Sequence, residues 1–166
     1  MIYAIVVMGV AGCGKTTVGK ALAAALDATF YDGDDFHPPQ NIAKMSQGIP
    51  LDDDHRQGWL ERLRDLISEH IEQNRSIVLA CSALKKRYRN LLCEGNAGLR
   101  FVYLRGDFDL IWQRMHAREG HYMKADMLRS QFDALEEPSP QEAVIIRINQ
   151  SPHNIIRDVI NKLAIN

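Results

Sequence analysis

Residues 9–16 read Gly9-Val10-Ala11-Gly12-Cys13-Gly14-Lys15-Thr16, and this octapeptide decides the fold. The pattern Gly-x4-Gly-Lys-Thr is a phosphate-binding loop when a buried strand precedes it and an amphipathic helix follows. Both flanks are present. Tyr3-Ala4-Ile5-Val6-Val7-Met8 is a short apolar run of the kind buried on both faces of a parallel sheet. Beyond the loop, Val18, Ala21, Leu22, Ala25 and Leu26 recur at helical spacing and mark one apolar face. Glycines let such a loop turn so that successive N–H groups point inward at phosphate oxygens. The helix that follows offers its positive end to the same anion. Lys15 is therefore expected on the β- and γ-phosphates of ATP, and the Thr16 hydroxyl on Mg²⁺. Thr17 continues the first helical turn, at the edge of the nucleotide-binding set.

Away from the loop, strand-like runs alternate with helical ones. Residues 29–31 read as a second short strand, ending in the polar cluster Asp32-Gly33-Asp34-Asp35-Phe36-His37. Pro38-Pro39 breaks the chain and starts a short helix through Lys44 and Met45. Gly48-Ile49-Pro50 breaks it again. Residues 54–72 are helical in pattern, with Trp59, Leu60, Leu63, Leu66 and Ile67 on one side. Third, fourth and fifth strands are expected at 76–80, 100–104 and 144–148. Helices are expected at 85–92, 107–118, up to Leu135, and 154–163. The alternation predicts an α/β, three-layer P-loop nucleoside-triphosphate hydrolase fold, with a five-stranded parallel sheet and helices on both faces. Ligands in such sheets bind at the carboxyl ends of the strands.

The bulk numbers narrow the function classes. A chain of 166 residues suits one domain, 1–166, with a real core. Twenty basic and 21 acidic residues give a net charge of −1, which argues against a dedicated nucleic-acid binder or an electrostatic membrane anchor. The three cysteines, Cys13, Cys81 and Cys93, lack zinc-site spacing and read as reduced thiols. The apolar run at 2–10 has no basic region before it and no small-residue cleavage site after it. It is also far short of the roughly 20 apolar residues of a membrane span. A cytoplasmic protein is expected.

The acceptor side is read from charges near the strand ends. Asp32 and Asp34 are two apart, so on an extended segment they face the same way. One is placed to hold the water shell of Mg²⁺ and the other to accept a proton from an attacking hydroxyl. Asp35 reads as a cap or surface residue, and His37 as either a substrate contact or a structural group. Phosphoryl transfer also needs positive charge around the moving group. Arg114 and Arg118, four apart, share one helix face. Arg118 adjoins the charged stretch 119–126, which reads as a short lid over the phosphates.

At this point the residues resemble the bacterial-type gluconokinases. The resemblance rests on the loop extended from Met8 to Gly19, Asp32-Gly33-Asp34-Asp35-Phe36-His37-Pro38, Asn41-Ile42-Ala43-Lys44-Met45, and Gly48-Ile49-Pro50-Leu51. It continues in Arg56 with Trp59-Leu60 and in Cys81-Ser82-Ala83-Leu84-Lys85-Lys86-Arg87-Tyr88-Arg89. Later matches are His121-Tyr122, Leu128 with Ser130-Gln131-Phe132, and Leu135-Glu136 before Pro138. It implies transfer of the ATP γ-phosphate to the 6-hydroxyl of D-gluconate, with Mg²⁺, in a homodimer. It implies a fold of the nucleoside-monophosphate-kinase type, shared with shikimate kinases. By the same similarity Asp34 orients the hydroxyl or acts as base, and Asp32 holds Mg²⁺ through water. A carboxylate substrate wants a forked guanidinium; Arg56 and Arg89 are the candidates, with His37 and Lys85 nearby. Arg118 is the candidate for charge on the transferring phosphoryl group, Arg114 joins the nucleotide set, and residues 147–152 border the adenine. The sequence departs from the family at His55, where an aspartate is usual, and at Tyr122, where phenylalanine is usual.

Two other functions fit less of the chain. A shikimate-type or other small-hydroxyacid kinase would share the loop, the aspartate pair and the lid arginine, but not His37-Pro38 or the segment from Cys81 to Arg89. A nucleotide-dependent switch protein would need a guanine-specifying Asn-Lys-x-Asp loop, which the sequence lacks.

Overall fold

The computed structural model describes residues 1–117 and 125–163. Its strands are β1 (Ala4–Met8), β2 (Thr29–Asp32), β3 (Ile77–Ala80), β4 (Arg100–Arg105) and β5 (Ala143–Arg147). They form one parallel sheet in the order β2-β3-β1-β4-β5. The helices are α1 (Lys15–Leu26), α2 (Pro39–Ser46), α3 (Asp53–Glu72), α4 (Lys86–Cys93), α5 (Phe108–His116), α6 (Ala125–Ala134) and α7 (Pro152–Lys162). A 3₁₀ turn, Gly33–Phe36, follows β2.

The period of two in β1 builds the three layers. Every residue of β1 is buried. Ile5 and Val7 pack on one side with Val18 and Leu22 of α1 and Ile155 and Val159 of α7. Ala4, Val6 and Met8 pack on the other with Trp59, Leu60, Leu63 and Ile67 of α3. Each of the larger aliphatic side chains here, fully buried, contributes about 1.5–3 kcal/mol by leaving water. The strand has no wet face, which suits the interior of the sheet, and it is the central strand of the five.

That central position places the site. The chain leaves β1 toward β3 and β2 on one side and toward β4 on the other. The carboxyl end of β1 is thus where strand order reverses, and a crevice opens there. The phosphate loop, the Asp32 end of β2 and residues 81–85 after β3 all meet at this end.

The expected element positions hold to within two residues. The last helix starts at Pro152 rather than at residue 154, because Ser151 caps it and Pro152 fits its first turn. Helix α3 begins with a capping box in which Asp52 accepts from the His55 N–H at 2.9 Å and the Asp52 N–H reaches back to His55 Nδ1 at 3.3 Å. His55 thus fills a helix-start role suited to an acidic or amide side chain. Arg118 and residues 119–124 of the expected lid lie outside the described residues; Ala125 and Asp126 begin α6.

Candidate active site

The phosphate loop is shaped by backbone that a side chain would strain. Gly14, the residue before α1, has φ of +99°, a left-handed conformation that favours glycine. Ala11, Gly12, Gly14, Lys15, Thr16 and Thr17 line a cleft of about 790 Å³. Gly9, Val10 and Cys13 are buried beneath it. Burial pushes the Cys13 thiol above its ordinary range and the Cys81 thiol up to about 12, so neither is a ready nucleophile. Lys15 Nζ donates to the carbonyls of Gly9 and Val10, at 3.0 Å each. The Ala11 N–H donates to Gln131 Oε1 of α6 at 2.6 Å. Two groups suited to phosphate oxygens are therefore held by the protein's own oxygens.

Across the cleft stands the turn that carries Asp32 and Asp34, and its shape corrects the extended reading. Residues 33–36 are a 3₁₀ turn, and Asp32 Oδ1 accepts from the Asp34 N–H at 3.0 Å. The two carboxylates meet by that turn, not by strand alternation. Both line the cleft. Gly33 makes the turn possible: a Cβ there would lie 2.8 Å from the Ala80 carbonyl at the end of β3. The Asp34 side chain is open to water within the cleft yet enclosed by its walls. That enclosure pushes its carboxyl above the usual range; Asp32 adds to the rise, Lys15 opposes it, and Asp35 adds a little more. A carboxylate so raised is a better proton acceptor near neutral pH. Asp35 is exposed, as expected.

His37 resolves toward structure while keeping an edge on the cleft. It is buried and stacked on Trp59, with ring centres 4.0 Å apart and planes 18° apart. Its Nε2 lies 3.7 Å from Asp34 Oδ1. Burial, then the Arg56 charge, lowers its pKa to about 4, so the ring is neutral and cannot serve as a cation for a substrate carboxylate.

The cationic wall is made by Arg56 and Lys85, which both line the cleft beside Tyr88. Arg56 donates to the Tyr88 hydroxyl at 3.3 Å, and the guanidinium lies 5.6 Å from the ring centre. Lys85 contacts the Asp53 carboxylate at 3.2 Å, which also meets Arg87 and the Tyr88 hydroxyl. Arg89 is a correction. Its guanidinium, 1% exposed, is used up by Glu142 Oε1 at 2.6 Å and the carbonyls of Ala83 and Glu136 at 2.8 Å each. It ties α4 to the segment before β5 and does not line the cleft. Arg114 does not line the cleft either. Ile111 and Met115 turn into the core under the loop, which points residue 114 at the end of β5, where it donates to the Ile148 carbonyl at 2.7 Å. That is beside residues 147–152, the expected adenine border.

Three site-forming residues had no assigned role in the sequence. Trp59 was readable only as core; its indole N–H donates to the Gly33 carbonyl at 2.7 Å and pins the acidic turn. Asn41, 1% exposed, bonds toward His37 and His55. Gln131 reaches the phosphate loop from 120 positions away. The Asn41 and Gln131 motifs were visible, but not what they touch.

The shikimate kinase family model matches residues 11–164. The chain is 49% identical over 144 residues to the thermosensitive gluconokinase of Escherichia coli K12, covering 87% of this chain and 77% of that one. It is 45% identical over 157 residues to the thermoresistant gluconokinase of the same organism, covering 93% and 90%. A crystal structure of a gluconokinase from Sinorhizobium meliloti 1021 superposes with a TM-score of 0.91 at 41% identity, covering 98% of this chain and 91% of that one. With the phosphate loop, the acidic turn and the cationic wall around one cleft, the chain belongs to the gluconokinase family, within the P-loop kinase group that includes the shikimate kinases.

Proposed function

We propose that this chain transfers the γ-phosphoryl group of ATP to the 6-hydroxyl of D-gluconate, giving 6-phospho-D-gluconate. One observation carries the reading: Lys15 on the phosphate loop, Asp34 facing it, and the cations Arg56 and Lys85 beyond, all on one cleft. Phosphoryl transfer asks the protein mainly to position and to neutralise charge. Lys15 leaves the carbonyls of Gly9 and Val10 to meet the β- and γ-phosphates. Asp34 orients the acceptor hydroxyl and takes its proton. Arg56 and Lys85 receive the substrate carboxylate, which fixes the far end of the sugar acid and points carbon 6 at the loop.

Mg²⁺ fits the donors. The Thr16 hydroxyl and the Asp32 carboxylate are hard oxygens lining the same cleft. Mg²⁺ keeps several waters and takes one or two carboxylates together with substrate phosphates, which these donors would allow. When bound, it supplies positive charge to the β- and γ-oxygens. Arg118 is proposed for the charge on the transferring group, and residues 147–152 with Arg114 for the adenine end. We further propose one kinase domain over residues 1–166, a homodimer and a cytoplasmic location. No described helix is long and apolar enough to cross a membrane.

The rival acceptor is shikimate. Named gluconokinases are 36–49% identical to this chain, whereas the shikimate kinase of Aquifex aeolicus shares its fold at 18% identity. A coupled ADP-release assay with ATP and a panel of D-gluconate, other sugar acids, shikimate and nucleoside monophosphates tests the reading. D-Gluconate is expected to give the highest kcat/KM; preferential turnover of shikimate or a nucleotide would reject it.

A further inference from the structure

His37 stands between the catalytic turn and a buried amide. Asn41 Nδ2 donates to the His55 carbonyl at 2.8 Å and lies 3.3 Å from His37 Nδ1. A carbonyl only accepts, so the His55 oxygen decides which way the Asn41 amide faces: its NH₂ group must point there. The second hydrogen of that NH₂ is then directed at His37 Nδ1. A hydrogen on Nδ1 would set N–H against N–H inside a site that is 1% exposed at Asn41. Nδ1 must therefore be the bare, accepting nitrogen. The neutral ring then carries its hydrogen on Nε2, the nitrogen 3.7 Å from Asp34 Oδ1.

We infer that Asn41 is a positioning residue, which holds His37 in the Nε2–H tautomer so that the ring presents a donor to the Asp34 carboxylate and to the acceptor alcohol beside it. The stack on Trp59 keeps the ring from turning over, and the Trp59 bond to the Gly33 carbonyl fixes that stack to the acidic turn. In the other tautomer a bare Nε2 would face a carboxylate. Two acceptors repel, and Asp34 would swing away from the hydroxyl it must orient. The functional half of this inference rests on Asp34 serving the acceptor alcohol; the tautomer itself does not depend on which alcohol that is.

The test reads the ring directly. Nitrogen-15 NMR of the full chain, with the His37 signals assigned by their loss in His37→Gln, is expected to show a pyridine-type Nδ1 and a pyrrole-type Nε2 at neutral pH. A pyrrole-type Nδ1, or an exchange average of both tautomers, overturns the inference without any need for an Asn41 variant. Asn41→Asp replaces the donor by an acceptor. In folded protein it should move the hydrogen to Nδ1 and lower kcat at least about tenfold, the scale of loss when an orienting partner is removed, with KM for ATP unchanged. Unchanged ring signals and kcat would contradict it. A wild-type ring in the Nε2–H form without gluconate turnover would sink the substrate reading and leave the tautomer assignment standing.

Discussion

The phosphate loop and the acceptor wall face each other across one cleft but are built in opposite ways. The loop is local: eight consecutive residues set the backbone, and the strand and helix on either side aim it. The wall is assembled from β2, α2, α3 and the segment after β3, where each charge takes its role from what packs around it. Arg56 and Arg89 make the point. Both are arginines within a matched motif, and both were candidates for the same carboxylate. Arg56 opens onto the cleft beside Tyr88, while Arg89 is closed in by Glu142 and two carbonyls.

If this contrast is right, damage to the loop should be uniform and damage to the wall should split by role. Lys15→Ala removes the loop's charge from the phosphates and should cut kcat by about 10³-fold or more. Near-normal steady-state turnover would break the loop assignment. Asp34→Asn keeps the turn but not the base, so kcat should fall about 10²–10⁴-fold with nucleotide affinity nearly unchanged. Equilibrium nucleotide binding separates the two outcomes. Arg56→Ala should raise KM for gluconate about 10–100-fold, since a charge-assisted bond is worth about 1.5–3 kcal/mol, and should leave stability almost intact. Arg89→Ala should do the reverse, costing about 3 kcal/mol in a denaturant melt because it strands Glu142 and two carbonyls, with KM for gluconate unchanged in the folded fraction. An Arg89 variant that is stable but loses gluconate would erase the distinction.

The remaining expected effect is on acid stability. His37 has a pKa of about 4 when folded against an ordinary 6.5. Between those values the unfolded chain holds a proton that the folded chain refuses, so stability rises with pH across that window and falls as pH drops through it. His37→Gln should flatten that slope in urea melts measured between pH 4 and 7; an unchanged slope would place the titration elsewhere.

What was legible in the sequence follows the same division. The strands and helices could be read because β1 is buried on both faces and α3 keeps Trp59, Leu60, Leu63 and Ile67 on one side. The loop carries its meaning in its own residues. Side-chain partners across the sequence carry none of theirs. Nothing near Gln131 announces that its amide meets Ala11, and nothing near Trp59 names the Gly33 carbonyl. Arg89 did leave a trace: Leu92 lies three positions after it and four after Tyr88, so all three fall on the buried face of α4. Two aspartates two residues apart read as sharing a side of an extended segment, but Gly33 against the Ala80 carbonyl makes a turn instead.

Phosphorus-31 NMR of the product formed from ATP and D-gluconate reports which oxygen reached the loop. The expected product is a single primary phosphate monoester on carbon 6. A phosphate on a secondary hydroxyl, or inorganic phosphate alone, would contradict it.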